Sequence, residues 1–231
     1  MDKVKSKTIA AWQSKASGEP TAETTPSNNT KLRDAKEAGW HIVFQDDFDR
    51  KELGDKWTII DGKWSVADGS LVGSGTLIST HGFPADNTAG FQRLEFEAIT
   101  SSPANSKVSD LSSFIHCEHK ADVREPWKSG GYFFQFGGRY NTVTQLIRGA
   151  ASLSVSSDAR ITPRRVHQIV MENDRGEVRC FVDGKAVFVE EEKSSLVGMS
   201  QNHVGFYFYT PAKIRKVKVY AKGLPGDLDL D

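Results

Sequence analysis

The sequence predicts an all-β protein, a sandwich or jelly roll made of two antiparallel sheets. From Gly39 onward, about a dozen short runs rich in Val, Ile, Phe, Tyr and Trp recur along the chain. Gly, Asp, Asn and Pro separate these runs at the spacing of turns, and no long helical pattern interrupts them. At 231 residues, the chain is long enough for one large β-domain with a buried core.

Composition divides the chain into three parts. Residues 1–38 are poor in large apolar side chains and include the run SGEPTAETTPSNNTK, which predicts a disordered N-terminal segment. Residues 39–223 form the predicted β-sandwich domain. Residues 224–231 are predicted to be a flexible acidic tail.

Taken in order, the apolar runs give the strands of this domain. They read WHIVFQDDF, KWTIID, KWSVADGSLVG, TLIST, RLEFEAIT, LSSFIHCE, GYFFQF, TVTQLIR, VHQIVMEN, EVRCFVDGKAVFVEE, HVGFYFY and IRKVKVYAK. Asp68-Gly69 and Asp183-Gly184 each stand between alternating apolar runs, a pattern typical of two-residue hairpin turns.

The alternation of side chains along a strand predicts which of them form the core. Trp64 shares a face with Val66 and, across the first hairpin turn, with Leu71. The predicted core face of the second hairpin consists of Val178, Cys180, Val182, Val187 and Val189.

Charge and cysteine content exclude several classes of partner. Formal net charge is +0, so strong capture of nucleic acid or anionic lipid is not expected. There is no apolar run of membrane-spanning length, so no membrane span is predicted. Cys117 and Cys180 lie in apolar strands without a second ligand pair at zinc spacing, which favours buried free thiols over a single disulfide. No metal and no cofactor are predicted.

Two stretches of the sequence resemble a known family. VFQDDFDRKELGDKWTIIDGKWSVADGSLVGSG, residues 43–75, is similar to the opening of concanavalin A-like sandwich domains of the 3-keto-disaccharide hydrolase or family-16-like glycoside hydrolase group. VHQIVMENDRGEVRCFVDGKAVFV followed by HVGFYFY resembles the laminin-G-like half of that group. The resemblance spans residues 40–222 and implies a concanavalin A-like jelly roll with a ligand on a concave face.

The chain departs from the family pattern at two places. Family-16 glucanases carry a Glu-x-Asp-x-x-Glu strand motif, whereas the LEFEA run has only Glu95 and Glu97. Relatives often carry an Asp before the valine of the last strand, near a calcium site. Here Arg215-Lys216 occupies that place, so the resemblance allows a structural calcium ion but the sequence does not support one. Without a signal peptide in this chain, the cytoplasm is the default expectation, although the resembled family is often exported.

Four residues are the candidates for catalysis. Glu95 and Glu97 point to one sheet face about 7 Å apart, a separation compatible with an inverting pair of carboxyls. His116 and Glu118 share a strand face in SSFIHCEHK, where a histidine beside a carboxylate can act as a general base. Ordinary surface glutamates and a structural histidine are the alternatives.

The hairpin of residues 130–149 predicts a binding face. If Tyr132, Phe134 and Phe136 face the core, the polar side chains of the hairpin project outward and suit a sugar, which needs aromatic rings and hydrogen-bonding groups. The residues predicted to bind substrate are His116, Trp127, Gln135, Arg139, Tyr140, Asn141, Gln145, Arg148, Tyr207 and Tyr209. Trp127 is expected at the rim, and the alternation in TVTQLIR allows either face for Arg148.

These observations leave three functions open. The first is recognition of a carbohydrate ligand on the concave face of the sandwich. The second, implied by the resemblance, is a glycoside-processing enzyme that hydrolyses its substrate or eliminates from a 3-keto-glycoside. The third is a laminin-G-like protein-interaction module. The oligomeric state is not predicted.

Overall fold

The computed structural model describes residues 30–83, 91–101, 107–118, 125–128, 130–149, 151–192 and 201–222. These residues form twelve strands: β1 (His41–Asp46), β2 (Trp57–Ala67), β3 (Ser70–Ser79), β4 (Phe91–Thr100), β5 (Ser112–Glu118), β6 (Tyr132–Gly137), β7 (Val143–Arg148), β8 (Ala151–Ser156), β9 (His167–Asp174), β10 (Glu177–Val182), β11 (Lys185–Glu191) and β12 (Gln201–Ala221). Two short turns of helix accompany them, a 3₁₀ turn at Pro126–Lys128 and a four-residue turn at Gly138–Asn141.

All of the strand pairs are antiparallel, and β12 links two layers. Its first half pairs with β3 and β5, which places β2, β3, β12, β5, β6, β7 and β8 in one layer, here called the first sheet. Its second half pairs with β1 and β4, and β4 continues the second sheet through β9, β10 and β11. The start of β3 also pairs with this half, at Ala212–Ile214, so β3 follows β12 across the change of layer. The register of β12 shifts between Phe208 and Ala212, where the strand passes from one layer to the other. The fold is therefore the predicted all-β sandwich of two antiparallel sheets.

The main core lies between the two sheets. Tyr132, Phe134 and Phe136 are buried in it, as the alternation along β6 predicted. Trp64 is also buried, beside Phe208 at 5.5 Å between ring centroids, so its prediction as a core residue is confirmed.

The second hairpin departs from its prediction at three of the five residues: Val182 and Val187 only pack against the core, and Val189 is not part of it. Val178 and Cys180 belong to the core as expected. A bulge between Cys180 and Phe181 shifts the register, so Phe188 fills the core, while Val187 only packs against it. Cys180 is a free buried thiol, as is Cys117 in β5.

The DDFDR run, residues 46–50, has a structural role. Asp46 accepts hydrogen bonds from Arg50 at 2.5 and 2.8 Å and from Trp57 Nε1 at 2.8 Å. Burial opposes its ionisation, but these hydrogen bonds and the Arg50 charge hold the pKa of Asp46 below its usual value. The motif that carries the family resemblance therefore anchors the loop between β1 and β2.

Of the predicted N-terminal segment 1–38, residues 30–38 are described. Ala35 and Ala38 pack against a small cluster of Trp40, Phe91 and Tyr220 on the second sheet. Residues 1–29 and the predicted tail 224–231 lie outside the described residues. Within the described part of the chain, none of the helices is long and apolar enough to cross a membrane.

Candidate functional site

A row of mostly polar side chains crosses six strands of the first sheet on its outer face. Strand register places Asp61 opposite Thr76, Thr76 opposite Tyr207, and Tyr207 opposite Ser112. Directly opposite residues of antiparallel strands point to the same face. Gln135 and Gln145 form the next pair, one strand beyond Ser112. We call these six residues the polar row.

Beside the polar row lies an apolar patch on the same face. It consists of Ile78, Phe114, Cys117, Trp127, Phe133 and Ile147, with Ile60 and Tyr207 partly buried against it. The Trp127 ring packs edge-to-face on Tyr207 and Phe133 at centroid distances of 5.7 and 6.0 Å. Trp127 is only 7% exposed, so it covers the patch from the 3₁₀ turn and is not the open rim platform that was expected.

The glutamines of the polar row belong to a hydrogen-bond chain that ends on Asp110. Ser152 Oγ donates to Gln145 Oε1 at 3.4 Å, and Gln145 Nε2 donates to Gln135 Oε1 at 2.5 Å. Gln135 Nε2 in turn donates to Asp110 Oδ1 at 2.8 Å. An ionised carboxylate only accepts hydrogen bonds, so Asp110 orients both amides along the chain. Gln135 is 1% exposed, which makes it a support for Asp110 rather than a direct ligand contact.

Asp110 is the buried charge at the centre of this site. Its carboxylate also accepts hydrogen bonds from Ser109 Oγ at 2.7 Å and from Ser112 Oγ at 3.2 Å. Burial raises the pKa of Asp110 to about 6, because these hydrogen bonds lower the pKa by less than burial raises it. Sequence reasoning missed this residue, because a lone Asp two positions before Ser112 belongs to no motif. The only signal in the sequence is its spacing: Asp110 lies two residues before Ser112 of the polar row, which is one repeat of a strand.

The β6–β7 connection is a left-handed turn. Gly137 has φ of 74°, and Arg139, Tyr140 and Asn141 have φ of 50°, 57° and 64°. Left-handed backbone costs a non-glycine residue about 1–2 kcal/mol, so a run of three is strained. Asn141 holds the turn by hydrogen bonds in both directions with the Ile161 backbone, at 2.7 and 2.8 Å. Consecutive strain of this kind is concentrated at functional sites.

The turn brings Tyr140 onto Tyr209 of β12. The two rings pack edge-to-face with centroids 6.0 Å apart. They are 46% and 38% exposed, so this tyrosine pair is open to solvent beside the buried Asp110. Burial, a hydrogen bond with Tyr140 and the Asp110 charge raise the pKa of the Tyr209 hydroxyl. Exposed rings next to satisfied buried polar groups are the arrangement that suits a polar ligand with apolar faces.

His116 does not lie in the polar row. Strict alternation along β5 predicts that its ring faces outward, and the structure shows that this prediction is wrong. Its φ of 52° marks an irregular position in β5, and the ring turns inward between the sheets. Nδ1 lies 3.1 Å from the Gln201 carbonyl, and Nε2 lies 3.1 Å from Asn173 Nδ2. These partners assign the proton to Nδ1. Burial lowers the pKa of His116 to about 4, so the ring is neutral and structural.

Arg148 faces the side of β7 opposite the polar row. Its guanidinium lies over the core residue Tyr132, 5.7 Å from the ring centroid, and forms an ion pair with Glu192. It therefore does not converge with Gln135. Arg139 is exposed in the left-handed turn.

The predicted catalytic glutamates lie in β4 of the second sheet, outside the site. Glu95 accepts hydrogen bonds from Arg93 and from the Tyr220 hydroxyl, and Glu97 from Arg215 and Lys216. Burial would raise the pKa of the Glu97 carboxyl. Arg215 and Lys216 outweigh this effect and hold the pKa below its usual value. A general acid needs a raised pKa, so the cations around Glu97 oppose that role for this residue.

Glu118, the remaining catalytic candidate, ends β5 beside Gly130 and Gln201. It is thus separated from the tyrosine pair at the other end of β5. Among the residues that the structure describes, no group of three or more His, Cys, Asp or Glu side chains is placed to hold a metal ion.

Solved structures with the same architecture are similar to this chain. The carbohydrate-binding module CBM66 from Bacillus subtilis matches with a TM-score of 0.53 and 12% identity, covering 74% of this chain and 98% of that one. SCLam, a non-specific endo-β-1,3(4)-glucanase from family GH16, matches with a TM-score of 0.57 and 12% identity over 90% of this chain and 99% of its own. The carbohydrate recognition domain of Emp47p matches with a TM-score of 0.56 and 12% identity over 83% of this chain and all of its own.

At such low identity these similarities show the fold alone. They show that the chain has an antiparallel jelly-roll β-sandwich fold. No family model matches the sequence, and no curated protein sequence matches it either.

Proposed function

We propose that this protein recognises a saccharide on the outer face of its first sheet, at the tyrosine pair and the exposed part of the polar row. The observation that carries the proposal is the Tyr140–Tyr209 pair, which a strained left-handed turn holds in solvent above the buried Asp110 network. The rings offer flat apolar surface for the C–H faces of a sugar. Their hydroxyls, with Asp61 and Tyr207, offer hydrogen bonds for its hydroxyl groups.

The similar structures support the ligand class. Two of those described above are named for carbohydrate binding or recognition, and the third for cleavage of a β-glucan. The buried glutamines support the site indirectly, since they fix the position of Asp110 beneath the tyrosines. Preorganised side chains reduce the entropy that a binding site must lose when a ligand arrives.

The test is a glycan array followed by calorimetric titration of the strongest ligand. Tyr140→Ala and Tyr209→Ala should each weaken binding at least tenfold, which corresponds to about 1.4 kcal/mol. Ile42→Ala is the matched control, because Ile42 is an exposed apolar residue on β1 of the second sheet. Unchanged affinity in both tyrosine variants, with their unfolding midpoints intact, would overturn the proposed site.

A glycoside-processing activity is the second candidate, and one observation favours it. Asp110 has a pKa of about 6, in the range where a carboxyl can exchange a proton near neutral pH. Hydrolysis and elimination from a 3-keto-glycoside both need such a group. Release of reducing sugar or of an unsaturated product from the bound glycan, lost in Asp110→Asn, would establish this activity; binding without product would exclude it.

A further inference from the structure

Four cationic residues belong to the segments that meet at the tyrosine pair, and the inference drawn from them rests on the proposed function. They are Lys107 before β5, Arg139 in the left-handed turn, and Arg160 and Arg164 in the β8–β9 connection. We call these four residues the basic rim. Arg160 is half-buried, and the other three are exposed.

Hydrogen bonds hold the segment of Lys107 against the tyrosine pair. The Tyr140 backbone N–H donates to Ser109 Oγ at 3.3 Å, and Ser109 exchanges hydrogen bonds of 2.8 and 3.2 Å with Thr210. Thr210 directly follows Tyr209 in β12. Lys107 Nζ lies 5.2 Å from the centroid of the Tyr140 ring, which is a cation–π distance. A ligand that contacts the exposed rings therefore comes close to the Lys107 ammonium group.

The β8–β9 connection is bound to the left-handed turn as well. The two hydrogen bonds of Asn141 join the turn to Ile161, the residue that follows Arg160. Farther along the connection, the Arg164 backbone N–H donates to Thr100 Oγ1 at 3.4 Å. Thr100 in turn pairs with β12 where that strand has changed layer. The basic rim therefore lies at one end of the sandwich, the end that carries the tyrosine pair.

Arg160 has a buried nitrogen without a hydrogen-bond acceptor. Its Nη1 is shielded from solvent and has no partner among the described residues. A guanidinium is always charged in proteins, and it donates hydrogen bonds without accepting any. Buried polar groups are almost always satisfied in native proteins, and a bound ion or water is one explanation of an exception. An anionic group on a ligand would supply the acceptor.

Carboxylates do not neutralise the basic rim. Among the described residues, none of its four side chains forms an ion pair, whereas the neighbouring Arg165 is paired with Asp183 at 3.1 Å. The segments that carry the rim contain two carboxylates. Asp158 is exposed, and Asp110 is buried and accepts three side-chain hydrogen bonds. Four cations against two carboxylates leave this end of the sandwich positively charged.

We infer that the basic rim binds an anionic group, a carboxylate or a sulfate, on the saccharide that contacts the tyrosine pair. The exposed rings take the apolar face of one sugar unit, and the cations take the charged group of that unit or of its neighbour. Positive charge around a binding site also raises the rate at which anionic ligands arrive, because it attracts them over a longer range than contact. A neutral saccharide gains neither effect.

The experiment uses a glycan array of matched acidic and neutral pairs. Oligosaccharides of galacturonic and of glucuronic acid are compared with their methyl esters, and a sulfated galactan oligosaccharide with its desulfated form. The acidic member of at least one pair should be retained more strongly, and the pair that differs identifies the anion as a carboxylate or a sulfate. Calorimetric titration of that pair should give a preference of about fivefold, the upper range for one exposed ion pair. Added salt should reduce the preference, because exposed charges are screened.

Two substitutions in the basic rim test its role. Lys107→Gln and Arg139→Asn should each lower the preference for the acidic member by about twofold to fivefold. Asparagine suits the left-handed backbone at residue 139. Lys56→Gln is the matched control and should keep the preference. Lys56 is also an exposed lysine beside an aromatic ring, with Nζ 5.4 Å from the Phe44 centroid, but it lies at the end of β3 away from the layer change of β12.

Failure of the inference is distinct from failure of the proposed function. Equal retention of acidic and neutral members, lost in Tyr209→Ala, would overturn the inference and leave the saccharide site in place. A preference that persists in both rim variants, or that Lys56→Gln lowers equally, would show that other charges select the anion. An acidic preference that survives Tyr209→Ala would place anion binding outside the saccharide site and would also overturn the inference. An array that retains nothing would reject both proposals.

Discussion

Gly138 lies against the side-chain amide of Gln135: a Cβ placed on Gly138 would stand 2.4 Å from Gln135 Cδ. This distance is far shorter than van der Waals contact. The paired glycine after β6 therefore has two tasks. Gly137 adopts the left-handed conformation that opens the turn, and Gly138 leaves room for the Gln135 amide that donates to Asp110.

Gly138→Ala should destabilise the fold by about 1–3 kcal/mol, the usual cost of overpacking a filled site. The added methyl must displace Gln135 and weaken its hydrogen bond to Asp110. Denaturant unfolding measures the loss. Gly69→Ala is a useful comparison, because Gly69 has positive φ but nothing within 4 Å of its Cβ position. If Gly138→Ala is as stable as the parent, the Gln135 amide is not tightly held.

Arg139→Gly should be more stable than Arg139→Ala by about 1 kcal/mol. Both variants remove the same charged side chain, but only glycine relieves the left-handed strain at φ of 50°. The difference in unfolding free energy between the two variants, from thermal or denaturant unfolding, measures the backbone strain at residue 139. Equal stability of the two variants would show that residue 139 leaves the left-handed region in solution.

Asp110 and His116 should give opposite pH dependences of stability in nearly the same window. The folded pKa of Asp110 is raised from 3.8 to about 6, so its contribution is complete below pH 3.8 and is lost as pH rises through 6. The folded pKa of His116 is lowered from 6.5 to about 4, so its contribution is complete above pH 6.5 and is lost as pH falls through 4. Each shift corresponds to about 3 kcal/mol, so the two slopes largely cancel in the parent.

Single substitutions should reveal the pH dependence of stability that Asp110 and His116 each contribute. Asp110→Asn keeps an acceptor oxygen for Gln135 and Ser112, while its amide N–H can donate to Ser109 Oγ, which donates to Asp110 in the parent. The stability of this variant should rise with pH between about 4 and 6. His116→Asn suits the positive φ and should show a fall with pH over the same range. The measurement is the free energy of unfolding in denaturant across this range. Two variants with the same sign of slope would contradict the assignment of these pKa shifts.

Trp64→Ala should cost about 3–5 kcal/mol of stability, as for other buried large aromatics. Its ring packs on Phe208 and its Nε1 donates to the Asp61 carbonyl at 3.2 Å. Ser65→Ala, at the exposed neighbouring position of β2, is the control. A loss below about 1 kcal/mol in urea unfolding would place Trp64 outside the core.

Much of the fold follows from local patterns that a reader of the sequence can see. The Asp68-Gly69 and Asp183-Gly184 turns, the core row of Tyr132, Phe134 and Phe136, and the burial of Trp64 all depend on residues a few positions apart. Period-two alternation predicts them because successive side chains of a strand point to opposite faces. Alternation also predicted that Gln135 projects outward, and the structure pairs it with Gln145 there.

The candidate site depended on features that the sequence does not display. One irregular residue in β5 turned His116 inward, and the bulge in the second hairpin put Phe188 in the core instead of its neighbours. A bulge reverses the alternation beyond it and has no fixed sequence signature. Pairing of distant strands then decided that Asp110 meets Gln135, and that Glu97 meets Arg215 on the other sheet.

The sequence by itself therefore determined that this protein is an antiparallel β-sandwich with its aromatic core, because those properties are written in short-range periodicity. Only the tertiary structure decided which polar side chains share a surface. That choice depends on strand order, on single-residue bulges and on the left-handed turn that carries Tyr140 to Tyr209. Contacts over such separations reflect the packing of the whole chain, and no local pattern encodes them.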